Sequence, residues 1–508
     1  MRPDHYPTRP GRAPSGLPAR RAASLAAALA VGLTLSACGT LGPDSAQQRA
    51  DARAQLQAQA ASAVPADWPA ASATLPASPA SAPTADAAAL EGQALVQDAR
   101  LRQVIALALQ ANRDLRVAVF TLEQARATYR IQEAASGPTL NANAGLSASR
   151  TPAEASSAGR DTVSRAYSAG LGISAWEIDL FNRVGSLRDS ALQAYLAAEA
   201  TQRSTRLALV ADVATAWLTL GADQQLLALY RQTLASQQQT LGLTEKRQAL
   251  GAASGLTVAQ TRATVESARA SVATYESQVQ RDRTALELLV GQRLPEALLP
   301  PTPDSGTATQ AAVPAAALVA LPEGLPSEVL RRRPDVQAAE AVVQGAQADL
   351  AAARAALYPR ITLTASAGTA SRSLEDLFQG GAWSFAPSVT LPLLDGGAAR
   401  TTAQKAEITR DLRLASYDKT VQTAFKEVAD ALSVRASLQQ RLSAQQALVE
   451  ANTQAVRLSQ ARWQAGADGY LTLLDAQRSL LAAQQGLISL QLTEQANRVT
   501  LFKVLGGT

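Results

Sequence analysis

Apolar and small polar residues alternate with a period of two on either side of the middle of the chain. Ile361, Leu363, Ala365 and Ala367 alternate with Thr362, Thr364 and Ser366. Trp383, Phe385, Pro387, Val389 and Leu391 then alternate with Ser384, Ala386, Ser388 and Thr390. Earlier, Leu140, Ala142, Ala144 and Leu146 oppose Asn141, Asn143 and Ser147, and Ala169, Leu171, Ile173 and Ala175 oppose Ser168, Gly170, Gly172 and Ser174. Period two sorts such residues onto opposite faces of a strand. Each strand is about ten residues long, enough to cross a bilayer at a tilt. Tyr167, Trp176, Trp383 and Phe385 suit the membrane interfaces. A half-buried soluble sheet has the same alternation. Four strands cannot close a barrel, and open sheet edges are not tolerated in lipid. The pattern therefore predicts an oligomer, with about eight strands from two copies or about twelve from three.

A helical period fills the remainder. Val421, Phe425, Val428 and Leu432 step by four, three and four, as do Val184, Leu187 and Ala191, and Leu207, Val210, Ala214 and Trp217, by three and four. From about Val184 to Gln248 the spacing predicts one helix, or two stacked end to end, on the order of 100 Å long. Prolines bracket these stretches: none lies between Pro152 and Pro295, a cluster fills 295–326, and none follows Pro392.

The chain also repeats itself. Arg113-Asp114 to Ser149 maps onto Pro334-Asp335 to Ala370, each a helical run, a proline (Pro138, Pro359) and an alternating segment. Further on, Gly251 meets Gly466, Leu256-Thr257 meets Leu471-Thr472, and Leu289-Val290-Gly291 meets Val504-Leu505-Gly506. Two copies, roughly 98–291 and 319–506, make a duplicated domain and not a solenoid.

Arg20 and Arg21 precede an uncharged run from Ala22 to Leu35, the layout of a secretory signal, too short to span a membrane as a helix. Leu35-Ser36-Ala37-Cys38 ends it with the only cysteine. That ending resembles a bacterial lipobox, which implies cleavage before Cys38 and acylation of its thiol and amino group. Acyl chains contribute roughly 0.8 kcal/mol per buried methylene, so several anchor firmly. Gly39 is not the aspartate that commonly holds lipoproteins at the inner membrane, which favours the outer membrane. The expected organisation is a signal peptide over 1–37, a lipid-anchored leader over 38–90 pinned at Trp68, a first repeat over 91–291, a Pro-rich linker over 292–326 and a second repeat over 327–506.

Charge then changes meaning. Loss of Arg2, Arg9, Arg12, Arg20, Arg21 and Asp4 with the leader turns 47 Lys+Arg and 42 Asp+Glu into 42 and 41, a net of +1. The basic excess belongs to the leader and is no nucleic-acid footprint. The one histidine, His5, leaves too. Histidine acid–base chemistry, a cysteine nucleophile and the usual zinc ligand sets are excluded, and no P-loop or dinucleotide turn is present. No enzyme, cofactor or metal is expected.

The stretch Gly324 to Val336, "GLPSEVLRRRPDV", strongly resembles a signature of TolC-like outer-membrane efflux proteins, within them the NodT-type, OprM-like lipoprotein branch. The likeness continues through Ala339-Glu340, Tyr358-Pro359-Arg360-Ile361, Leu391-Pro392-Leu393-Leu394-Asp395-Gly396-Gly397 and Tyr470 to Gln477, "YLTLLDAQ". It covers about 98–506. The resemblance implies a mainly α fold with a β-barrel part: a homotrimer whose subunits each give four transmembrane strands to a 12-stranded barrel. Long periplasmic helical hairpins form a tunnel, with an equatorial belt holding the linker and the C-terminal tail. It implies an outer-membrane channel of a tripartite efflux system, taking drugs or other small molecules from a periplasmic membrane-fusion adaptor and an inner-membrane pump of the RND type.

Two sites carry over from that resemblance. Leu471 and Asp475, four apart on one helix face, match positions at the narrow periplasmic gate, where three copies give an apolar plug beside an anionic ring. Gln260 takes the matching place in the first half. Arg247 to Gly251 and Arg462 to Gly466 resemble the hairpin-tip pattern that meets the adaptor, with Gln248 where an aromatic is usual. In both copies the glycine also suits a sharp reversal between helices. The competing reading is a lipid-anchored coiled-coil scaffold without a pore. The lipoyl-like and small β-barrel segments expected of an adaptor are not evident.

Overall fold

The structure is a computed structural model that describes residues 96–157, 159–302 and 327–507, together with 54, 55 and 58. Cys38, the signal segment, Trp68 and most of the linker lie outside the described residues. The chain divides into two compact units, one built on 138–185 and 354–395 and one on the flanking helical segments.

The first unit is a four-stranded antiparallel sheet in chain order: β1 (Leu140–Thr151), β2 (Thr162–Glu177), β3 (Arg360–Ser371) and β4 (Gly381–Thr390). Its register aligns the apolar rows across all four strands. Leu140 pairs with Ile173, Ile173 with Ala365, and Ala365 with Phe385; the next row is Ala142, Leu171, Ala367 and Trp383. The opposite face is small and polar, with Ser149 hydrogen-bonded to Ser164 at 2.9 Å and Ser366 to Ser384 at 2.7 Å. Trp383 is 81 % exposed in the single chain, as an apolar sheet face requires if lipid is to cover it.

One position departs from the expected alternation. A β-bulge between Ile173 and Trp176 inserts a residue against β3, and Ala175 sits there with φ +49°. The extra residue shifts the parity, so Ala175 does not extend the apolar row and Trp176, paired with Leu363, resumes it. On the small face, β2 and β3 approach at Gly170 and Gly368. A Cβ on Gly368 would collide with the Ala169 carbonyl oxygen, so this crossing requires glycine.

In the helical unit the duplication is visible in element lengths. Helices α1 (Ala99–Ala111) and α2 (Arg113–Ala134) precede the sheet strands. Then α3 (Arg183–Ala249) and α4 (Gly255–Val290) form the first hairpin, α5 (Pro334–Ala355) matches α2, and α6 (Ala398–Gln464) and α7 (Tyr470–Val504) form the second. Both long helices have 67 residues, and α3 is continuous, not two helices stacked. No helix among the described residues is long and apolar enough to cross a membrane.

Local signals set the joints. Asp98 caps α1 by accepting from the Arg100 and Leu101 amides at 2.7 and 3.3 Å. Asn112 caps α2 by accepting from the Leu115 amide at 2.8 Å, and its own amide donates to the Leu289 carbonyl at 2.7 Å. One core joins Leu101, Val104 and Ile105 of α1, Val213, Ala214 and Trp217 of α3, Leu286 and Val290 of α4, and Val499 and Phe502 of α7. Trp217 also donates its indole N–H to the Leu298 carbonyl at 3.1 Å. The second core follows the predicted α6 stripe, but its buried seam is Val421, Ala424, Val428 and Ala431, with Phe425 and Leu432 packed at its flank. Alanine at alternate steps of the seam lets helices approach closely.

Candidate functional site at the hairpin tips

Each hairpin reverses at the glycine singled out in the sequence. Gly251 and Gly466 both have φ +74°, a conformation that costs glycine nothing. In the first tip the Gly251 amide donates to the Gln248 carbonyl at 2.9 Å and the Ala252 amide to the Arg247 carbonyl at 2.7 Å. The second tip repeats this, from Gly466 to Trp463 at 3.1 Å and from Ala467 to Arg462 at 2.9 Å. Paired bonds of this kind satisfy the last carbonyls of a helix.

The two tip arginines do different work. Arg247, half-buried, crosses to the other hairpin and donates to the Trp463 and Gln464 carbonyls at 3.3 and 3.1 Å. Its guanidinium lies 4.6 Å from the centre of the Trp463 ring. Arg462 stays within its own tip and forks onto Asp468 at 2.6 and 2.9 Å. The hydrogen bond from Arg462, with its charge, holds the Asp468 carboxyl below the usual range. Beneath the tip, Trp463, Tyr470, Leu473 and Leu474 make a small buried cluster, with the Trp463 and Tyr470 rings 6.0 Å apart. The sequence pattern held Arg247 and Trp463 as parts of two separate tips; that they meet is seen only in the structure. Asp468 carried no motif at all.

Leu471 and Asp475 occupy the first turns of α7 on the side away from that cluster. Leu473 and Leu474 are buried, while Leu471 is 56 % exposed and Asp475 is exposed too. The exposed stripe continues through Arg478, Ser479 and Ala482. Among the described residues Asp475 is in no ion pair. An exposed leucine and carboxylate one turn apart, on a helix whose other face is packed, form a surface available to a neighbouring copy or to a water-filled space.

The signature around Arg333 also has a physical role. Arg333 is buried, and its guanidinium forks onto Asp335 at 3.0 and 2.7 Å, reaches Glu427 of α6 at 2.7 Å and donates to the Val504 carbonyl of α7 at 3.0 Å. Burial alone would raise the Asp335 carboxyl, but the hydrogen bond and charge of Arg333 outweigh it and hold it low. This residue pins three helices. The cavity beside it, about 880 Å³, has its charges paired as well, Lys503 with Asp212 at 3.4 Å and Asp430 with Lys426 at 2.5 Å. Among the described residues no cluster of acids, histidines or cysteines fits a metal.

A family model described as "Outer membrane efflux protein" matches residues 104–292 and 325–507. The chain belongs to that family. This outer-membrane efflux protein is 42 % identical over 448 residues to the "Probable efflux pump outer membrane protein TtgC" of Pseudomonas putida, covering 87 % of this chain and 90 % of the relative. A crystal structure of a membrane protein from Pseudomonas aeruginosa superposes with TM-score 0.79 at 38 % identity, covering 88 % of this chain and 98 % of that one. The open state of the Neisseria gonorrhoeae MtrE outer membrane channel gives TM-score 0.72 at 34 % identity, covering 82 % and 91 %. The expected mainly helical, duplicated fold with its four-stranded sheet is that of these channels. The efflux protein is an outer-membrane protein of a channel family, not of an enzyme family.

Proposed function

We propose that three copies of this outer-membrane efflux protein close a twelve-stranded barrel and form the exit duct of a tripartite pump. The observation that carries this reading is the four-stranded sheet, with one apolar face exposed and β1 and β4 at its edges. Open edges and an apolar face are both satisfied when copies pair edge to edge within lipid. Acylated Cys38 anchors the chain at the membrane. The hairpin tips at Arg247, Gly251, Arg462 and Gly466 meet a periplasmic adaptor, which couples the duct to an inner-membrane pump of the RND type. Its cargo is a drug-like or solvent-like small molecule, and the duct conducts it passively through a polar lining.

Leu471 and Asp475 form the periplasmic gate of this duct. Their exposure on α7, opposite the packed face, supports the assignment. In cells lacking their own duct, the double variant Leu471→Ser/Asp475→Ala assembles like wild type but admits large antibiotics such as vancomycin. Unchanged vancomycin sensitivity at normal protein levels would remove these residues from the gate.

A further inference from the structure

The first hairpin holds its two helices in a fixed register. Tyr230 of α3 stacks on Tyr275 of α4 with ring centres 4.9 Å apart, and Arg231 pairs with Glu276 at 2.7 Å. Nearer the tip, Arg262 of α4 reaches Glu245 of α3 at 3.0 Å. Two helical turns from the tyrosine pair, on the side away from the tip, this register sets Asp223 of α3 against Asp282 of α4. The two carboxyl groups are within hydrogen-bonding reach of each other.

Among the described residues no cation pairs with either carboxyl. Asp282 Oδ1 accepts from Gln278 Nε2 at 2.9 Å. Asp282 Oδ2 is buried and receives no hydrogen bond from any N–H or O–H of the described residues. The charged neighbours on α4 are engaged elsewhere: Arg281 with Gln278 Oε1, and Arg283 with Glu287 at 3.4 Å and with Glu296 of the following short helix at 3.2 Å. From α7 a neutral amide, Gln485, donates to the Tyr230 hydroxyl at 2.8 Å. Helix α1 turns Leu101, Val104, Ile105 and Ala108 into the core and leaves Arg100 and Arg102 exposed. Tyr230 and Tyr275 are the other titratable groups, and burial pushes both up. Two carboxyl groups in contact without a cation resist ionising together; one proton between them removes the repulsion and supplies the missing donor.

We propose that Asp223 and Asp282 form a proton-binding site that latches α3 to α4 while it holds one proton and loosens the hairpin when that proton leaves to solvent. The site lies about 36 Å along α3 from Arg247, so it is separate from the tips and from the gate. Burial first, then the hydrogen bond and charge of Asp282, push the Asp223 carboxyl up to about 7, with Gln278 opposing. In an unfolded chain the same carboxyl ionises near 3.8. Between those values the folded chain holds a proton that the unfolded chain does not. The sign follows: stability falls as pH rises through this window and levels off above about 7. The hairpin is tightest in mildly acidic medium.

Hydrogen–deuterium exchange on the full-length purified protein tests this. After correction for intrinsic exchange, peptides covering 216–230 and 275–289 should exchange about tenfold faster at about pH 8 than at about pH 6. Asp223→Asn carries a permanent donor to Asp282 and should abolish that difference, leaving both peptides protected at both pH values. Asp282→Asn should do the same, which keeps the test open if one variant folds poorly. Difference infrared spectra of the wild type should show a protonated-carboxyl band near neutral pH that Asp223→Asn lacks. An equal pH response in wild type and both variants, or no such band, overturns the proposal.

Discussion

Replacing Arg247 by Met keeps the aliphatic stem but removes the charge and the donors that join the two hairpin tips. Two hydrogen bonds to carbonyls of the other hairpin, at 3.3 and 3.1 Å, are lost with the contact to the Trp463 ring at 4.6 Å. Hydrogen bonds from a charged donor contribute about 1.5–3 kcal/mol each when shielded, and a cation–π contact about 0.5–1 at an exposed site. Water replaces part of this at a half-buried tip, so the net loss is about 2 kcal/mol. That raises the local opening constant of the second tip about 30-fold. Hydrogen exchange in the peptide covering 459–470 reports it directly. Arg247→Lys should fall between wild type and Arg247→Met, because an ammonium lacks the planar fork. Leu250→Ala, at an exposed residue of the same tip, should change nothing there. Equal protection in wild type and Arg247→Met, with helicity intact, would refute the clasp.

Three further perturbations bear on the scaffold. Arg333→Met leaves Asp335 and Glu427 facing each other without their cation and should cost about 3 kcal/mol, read as a lower midpoint of denaturation. Trp217→Ala empties a fully buried site and frees the Leu298 carbonyl, a loss of about 3–5 kcal/mol by the same measurement. Gly368→Val drives a side chain into the β2 backbone at Ala169 and Gly170, so the yield of folded protein in the outer membrane should drop to background, while Gly381→Ala, in open space, should express normally.

Much of this architecture was written in local patterns. Strand alternation, the repeat and the tip glycines each depend on residues close in sequence, so period and position were enough to read them. Ala175 breaks the alternation because a bulge changes parity without changing residue character on either side. The α6 seam is only half legible in the spacing, since Ala424 and Ala431 gain their role from the closeness of a partner helix. Arg247 reached Trp463, and Asp223 reached Asp282, only once hairpin register was known, and register is a tertiary fact. Arg333 and its neighbour Asp335 were legible as part of a signature, yet its other two partners, Glu427 and Val504, lie on helices far along the sequence. Leu471 and Asp475 were legible as one face of a helix, and which face is packed came from the structure.

The most direct test of the channel reading is single-channel conductance in planar bilayers, comparing wild type with Leu471→Ser/Asp475→Ala. The account predicts small, flickering currents from the wild type and large, steady ones from the double variant. No current from either protein, when both are lipidated, folded and trimeric, would contradict a pore and favour an anchored scaffold.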